Sequence, residues 1–373
     1  MWPAALITAG AVAFGRLFVT GILPSAVLTT ALWLVLRADA FARTTGGLRI
    51  GDVIPPDFGP NQGGSILLFL LGVVLLTAVL EGFHLAVVRL LEGYWGASRI
   101  ALTLSAPGLS RHRNRQRKAL SEWTRLRPTT QPEPTEADGT LRLNEQAAAR
   151  REAHRDRLRL VRARLVIDEY PPKEADLLPT RLGNALRSGE RRAGERYGWS
   201  TVHAWPRLYL GLPEQIVTAY RYSRDAMDAA AIFCLTFLAV SVLTTVAFID
   251  DPALLWVPPM FLVLSYVSYR SAVASALTHG VILQAAFDRN RFDLFESMHQ
   301  PMPNTPLEEY RKAKEISMFL TDGIDPETAI RTLPEPYSHA EPERKRWLRW
   351  RRRGKHSIAL DHDRAEGTTG SQP

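Results

Sequence analysis

Glu81 and His84 raise the first chemical question, because they stand one helical turn apart inside an apolar run, "TAVLEGFHLAVVRLLEGYWG". An ionisable side chain within a membrane span marks a functional site by default. Three residues apart, the two share a helix face and can pair. Counted from Ser65 at about 1.5 Å per residue, Glu81 lies roughly three quarters of the way along the run. At that depth it can reach water or a neighbouring helix. One reading is a polar stripe at the end of a helical bundle, satisfied by a partner helix. The other is a proton or ion relay lining a vestibule. Arg270, beside Tyr269 in a later apolar run, is a candidate partner for Glu81, since arginine near a span's end can snorkel. Glu296 and His299 repeat the Glu-x-x-His spacing, which serves carboxylate-bridged metals in helical bundles. Such a site needs two further carboxylates on facing helices, so the expectation is neither metal nor cofactor.

The second chemical feature is the tail "ERKRWLRWRRRGKH". Arg344, Lys345, Arg346, Arg349, Arg351, Arg352 and Arg353 alternate with Trp347 and Trp350. Basic and aromatic residues interleaved in this way suit single-stranded nucleic acid or an anionic membrane surface. Attachment to a membrane favours the inner leaflet's anionic lipid, and nucleic acid is not the expected partner. The run "SRHRNRQRK" reads the same way. No phosphate-binding glycine loop, zinc-protease HExxH or GxSxG nucleophile elbow is present. The single cysteine, Cys234, excludes an intrachain disulfide and Cys-based metal sites.

The elements that must position these residues are read from segregation of charge and apolarity. The chain has 373 residues, a net charge of +8 and 46% hydrophobic residues, and intensely apolar runs alternate with intensely basic ones. Excess arginine over lysine, with abundant alanine, points to a GC-rich bacterial genome. A bilayer core takes about 20 apolar residues as helix. Four stretches qualify: Leu17 to Leu36, Ser65 to Val88, Ala229 to Ile249 and Ala253 to about Ala276. Pro24, after Gly21, should bend or interrupt the first. The first basic residue is Arg16, so the N-terminal run is expected to be retained rather than cleaved. Arg89 and Arg99 follow the second span, Arg221 and Arg224 precede the third, and Arg289 and Arg291 follow the fourth. Asp250 and Asp251 form the turn opposite. The positive-inside rule places the middle segment and both termini in the cytoplasm of a bacterial plasma membrane.

The expected architecture is all-α, an integral membrane protein with about four transmembrane helices and a cytosolic helical region. Residues 1–96 hold the first two spans and an outer loop. Residues 97–225 form the basic helical region, with a linker at 128–139 and an interfacial segment at 198–213. Residues 226–276 form the second hairpin, and 277–373 a helical arm with a basic disordered tail. Leu158, Val161 and Leu165 mark an apolar stripe on a strong helix broken at Pro171 and Pro172. Pro179 and Thr180 open another helix through Ala193. Ser268, Ala272 and Ala276 form a small-residue ridge that lets helices approach closely. Val281, Ala285, Phe292 and Phe295 are expected to share the packing face of a helix leaving the membrane.

The stretches "LLPTRLGNALRSGERRAGERYGW", "RLLEGYWG" and "AFDRNRFDLFESM" resemble an uncharacterised group of bacterial multi-pass membrane proteins. The resemblance implies a membrane location and carries over no functional residue. The function expected from the sequence is non-enzymatic: a scaffold or regulatory subunit engaging anionic lipid and a cytosolic or membrane protein partner. The alternative is a homo-oligomeric channel or transporter with Glu81, His84 and Arg270 near its mouth. Least favoured is an enzyme acting on a lipid-linked substrate, with His203 or His279 added to the same residues.

Overall fold

The computed structural model describes residues 15–37, 63–127, 143–249 and 252–322, and every regular element among them is helical. In chain order these are α1 (Leu23–Arg37), α2 (Gly63–Glu92), α3 (Arg99–Leu126), α4 (Leu143–Asp168), α5 (Arg181–Arg192), α6 (Thr201–Gly211), α7 (Glu214–Phe248), α8 (Val257–Ser297) and α9 (Pro306–Asp322). Four segments are long and apolar enough to cross a membrane: Gly15–Leu36, Ile66–Glu92, Glu214–Phe248 and Val257–Ser297. They correspond to the four expected spans. The third helix begins well before the expected Ala229, because "EQIVTAYRYSRDAMDAA" is helical from Glu214.

The expected interruption at Pro24 takes the form of a π-helical turn, Phe18–Ile22. Proline has no N–H to give to the carbonyl four residues back. The register slips by one, and the Leu23 N–H bonds the Phe18 carbonyl instead. Gly21 faces α2 there: a Cβ would stand 3.0 Å from the Thr77 methyl.

α7 and α8 are the central pair, stitched by hydroxyls. Ser265 Oγ donates to the Cys234 carbonyl and Ser241 Oγ to the Pro258 carbonyl, each at 2.8 Å. By contrast, only 6% of the apolar window of α2 is buried, against 50% for α7, so α2 lies on the outside of the bundle.

Beyond the apolar segments, α8 continues unbroken to Ser297, as its sequence foretells. Its packing face differs from the expected one. Gly280, Leu283, Phe287, Asn290 and Leu294 are buried together with Phe295 of the expected face, whereas Val281, Ala285 and Phe292 are exposed. A count of apolar residues misses a ridge that includes a glycine and an asparagine. Trp199, expected at a membrane interface, is instead fully buried beside Phe295, with ring centroids 4.9 Å apart. At the start of α9, Thr305 Oγ1 accepts from the Glu308 N–H. The linker at 128–139, Asp250, Asp251 and the basic tail lie outside the described residues.

Candidate functional site

The polar ends of α2, α7 and α8 meet α5, and the local sequence explains how α5 is held. Thr180 is its N-cap, as expected, and accepts from the Gly183 N–H. Its hydroxyl also donates to the Glu92 carbonyl at 2.7 Å, joining the start of α5 to the end of α2. Tyr269 Oη accepts from the N–H groups of both Arg181 and Leu182. The amide donors of Arg181, Leu182 and Gly183, which a helix start leaves unsatisfied, are thus paired, and the Asn184 N–H to the Thr180 carbonyl is the first bond within the helix.

At the other end, α5 touches α8 backbone to backbone. A Cβ on Gly189 would lie 2.6 Å from the Gly280 Cα. The ridge residues Ala272 and Ala276 pack against Leu182 and Ala185 of α5 as well as Met227 and Ala230 of α7. The small-residue ridge therefore serves two helices, one of them outside the apolar bundle.

An ion-pair lattice fixes α3 and α4 to α5. Arg181 binds both carboxylate oxygens of Glu169 through the Nε and Nη2 of one guanidinium edge, and Arg192 binds Asp168 at 2.7 Å. Arg191 holds Asp176 and Glu195. From α3, Arg115 reaches Glu169 at 3.4 Å, and Arg113 and Arg117 reach Glu174 at 2.5 and 3.0 Å. Three arginines of "SRHRNRQRK" are thus engaged within the chain. His112 Nδ1 meets Tyr170 Oη at 2.9 Å. Burial, reinforced by Arg115 nearby, holds the His112 imidazole below its ordinary value of 6.5. Burial raises the Tyr170 phenol.

Where the apolar bundle meets this platform, the charged side chains gather. Arg16 Nε lies 3.2 Å from Asp225 Oδ1. His84 Nε2 lies 3.8 Å from Asp228 Oδ2, and Arg224 Nε is 3.6 Å from the same oxygen. The Asp228 side chain is 2% exposed, and neither oxygen has a hydrogen-bond partner. A buried carboxylate flanked by an imidazole and a guanidinium, each just beyond hydrogen-bond reach, can hold or pass a proton with a small side-chain movement.

Beside it is a cavity of about 230 Å³, with Glu92, Glu190, Trp205, Tyr220, Arg224 and His279 among its lining residues. The Trp205 and Tyr220 ring centroids are 4.5 Å apart, and those of Tyr220 and His279 also 4.5 Å. His279 Nδ1 is fixed by Ser223 Oγ at 3.0 Å.

The sequence candidates fare differently. His84 joins the cluster, but its partner is Asp228 of α7 and not Glu81. Glu81 is exposed, with its carboxylate near the π-turn glycine, Gly21. Arg270 is exposed on α8 and forms no ion pair with Glu81. Among the described residues no three metal-ligating side chains converge; Glu296 lies in the last turn of α8 and His299 just beyond its end. His203 bonds Ser200 Oγ at 2.9 Å, outside the cavity. The tail residues Arg344 to Arg353 lie outside the described residues. Sequence reasoning missed Asp225, Asp228, Glu92, Glu190, Tyr220 and Arg224. A signal for Asp228 was present: "RDAMD" puts Arg224 and Asp228 on one helix face immediately before a long apolar run.

A comparison with family models finds no match for the chain, and comparisons with curated proteins and with solved structures find no significant one.

Proposed function

We propose that the chain is a non-enzymatic multi-pass protein of a bacterial plasma membrane, a scaffold or regulatory subunit that holds a protein partner against the anionic inner leaflet. Both termini and the α3–α6 platform face the cytoplasm in this reading. Its support is the gathering of Arg16, Arg89 and Arg224 at one end of the four apolar segments, in keeping with the positive-inside rule. The resemblance of "RLLEGYWG" and its companion stretches to bacterial multi-pass proteins agrees with that location.

The observation that carries the partner is on α4. Leu158, Val161 and Leu165 form a stripe at helical spacing, and they are 56%, 51% and 63% exposed. An apolar helix seam flanked by arginines fits a helix of matching pattern from another protein. Ion pairs of Asp168 and Glu169 with Arg192, Arg181 and Arg115 tie the end of α4 to α5 and α3. The tail from Arg344 supplies the lipid contact.

The test is native mass spectrometry of the full chain extracted gently from its own membrane. Leu158→Glu combined with Leu165→Glu is expected to lose a co-purifying protein while keeping anionic lipid. Deleting 344–355 is expected to do the reverse. A partner retained at wild-type level by the double variant overturns the α4 assignment. A second reading, an oligomeric channel or transporter, draws on the buried Asp228 facing His84; a closed ring of identical chains in the same spectra would put it first.

A further inference from the structure

The cavity behind α2 is not used by a scaffold function, and its lining is selective. It is smaller than the roughly 300–1,000 Å³ of pockets that take drug-sized molecules, and its volume of about 230 Å³ suits a headgroup of a few heavy atoms. Two of its lining residues are acids, Glu92 and Glu190, and one is an arginine, Arg224. Glu190 is compensated by Arg187 at 3.0 Å. Arg224 leans on the buried Asp228 at 3.6 Å. Glu92 makes no hydrogen bond or ion pair through its carboxylate among the described residues, while its backbone carbonyl is fixed by Thr180. Glu92 therefore faces the cavity without a direct partner, beside the second acid Glu190 and with Arg224 and Arg89 as the nearby cations.

Its other walls are aromatic. Trp205 and Tyr220 lie 4.5 Å apart at 35°, and the face of an indole attracts a cation through its quadrupole. An anionic ligand would meet Glu92 and Glu190 with Arg224 already drawn to Asp228. A metal ion would find no convergent third ligand among the described residues. A carboxylate beside aromatic faces is the chemistry that selects an organic ammonium group.

We propose that this cavity binds an organic ammonium group, with the charge on Glu92 and the alkyl portion against Trp205 and Tyr220. Two sources carry that chemistry: the ethanolamine headgroup of a membrane phospholipid and a small soluble amine. The site stands apart from the α4 partner reading; only the lipid source depends on the bundle lying in a membrane.

The experiment uses the full chain, delipidated in mild detergent. An ethanolamine phospholipid is compared with a phosphatidylglycerol of the same acyl chains by native mass spectrometry. Ethanolamine and putrescine are titrated by calorimetry. Selective retention of the ethanolamine lipid with no heat from soluble amines assigns the lipid source, and the reverse assigns the soluble one. In either case Glu92→Gln is expected to weaken binding at least tenfold, and Trp205→Leu severalfold, with Glu190→Gln having the smaller effect. Melting temperatures of all variants report folding, and Trp205→Leu decides the matter if Glu92→Gln is unstable. Absence of binding from both sources, or wild-type affinity in both Glu92→Gln and Trp205→Leu, overturns the proposal.

Discussion

α4 and α5 are both arginine-rich helices, and their fates are opposite. α4 carries a regular apolar stripe, yet Leu158, Val161 and Leu165 stand in the open. α5, "RLGNALRSGERR", has two leucines, yet Leu182, Gly183, Asn184, Ala185, Ser188 and Gly189 are all buried. Burial follows closeness of approach and the pairing of polar groups here, and apolar content is a poor guide to it. The arginines differ accordingly. On α4 they make local pairs, Arg159 with Asp156 and Arg164 with Asp168, which are exposed and contribute little. On α5 they reach other segments from sheltered positions.

The contrast is broken most severely at Gly189. Its neighbour at 2.6 Å is backbone and has no rotamer to yield. Gly189→Ala is expected to destabilise the fold by about 3 kcal/mol or more, beyond ordinary overpacking, read as a large drop in melting temperature in detergent. The same change at the exposed Gly64, with open space around it, should leave melting unchanged.

The next largest effect is expected at Arg181. Its removal leaves Glu169 sheltered with only the long contact to Arg115. Arg181→Met should cost about 2–3 kcal/mol, less than a fully orphaned buried charge because Arg115 remains. If melting is unchanged, the lattice is ornamental and the comparison fails.

A smaller effect separates the α3 contact from both. The folded chain holds His112 below 6.5, so the unfolded chain takes up the proton first as pH falls. Stability should be intact above about 6.5 and decline as pH drops through it towards the folded value. His112→Phe should remove that part of the pH dependence of the melting temperature. An unchanged profile would mean that His112 binds its proton alike in the folded and unfolded chain, and the α3 contact would then not shelter it.

Least is expected on α4. Leu158→Gln with Leu165→Gln should alter stability by less than about 0.5 kcal/mol, since both are exposed. A large loss of stability would show that the stripe is covered within the chain.

These residues also mark how far the sequence could be read. The four long segments were legible because apolar length is a strong signal, and α5's start was legible because Thr180 has cap chemistry. α3 was legible only as part of a basic helical region and without bounds, since its apolar positions are few and Pro107 and Gly108 stand in its middle. The structure gives Gly108 a reason: the Pro179 carbonyl would lie 2.4 Å from a Cβ there. The stripe on α4 was visible, but whether a stripe is covered depends on other elements. His84 was singled out, while its partner Asp228 sits on a helix remote in sequence. No spacing rule links α2 to α7, so the cluster and the cavity beside it emerge only when the helices are placed.

α8 has a mechanical consequence. Its 41 residues form a single uninterrupted rod, about 60 Å long at 1.5 Å per residue. One end carries the exposed apolar surface of Leu262, Val263 and Tyr266, and the other carries the packing with Trp199 and α9. With the Gly189–Gly280 crossing as fulcrum, the arms to Val257 and to Ser297 are about 35 and 25 Å, so a tilt of about 5° moves the two tips by about 3 and 2 Å in opposite directions. The molecule is thereby geared: a displacement of the apolar end is delivered, reversed in sense and somewhat reduced, to whatever is docked at the other.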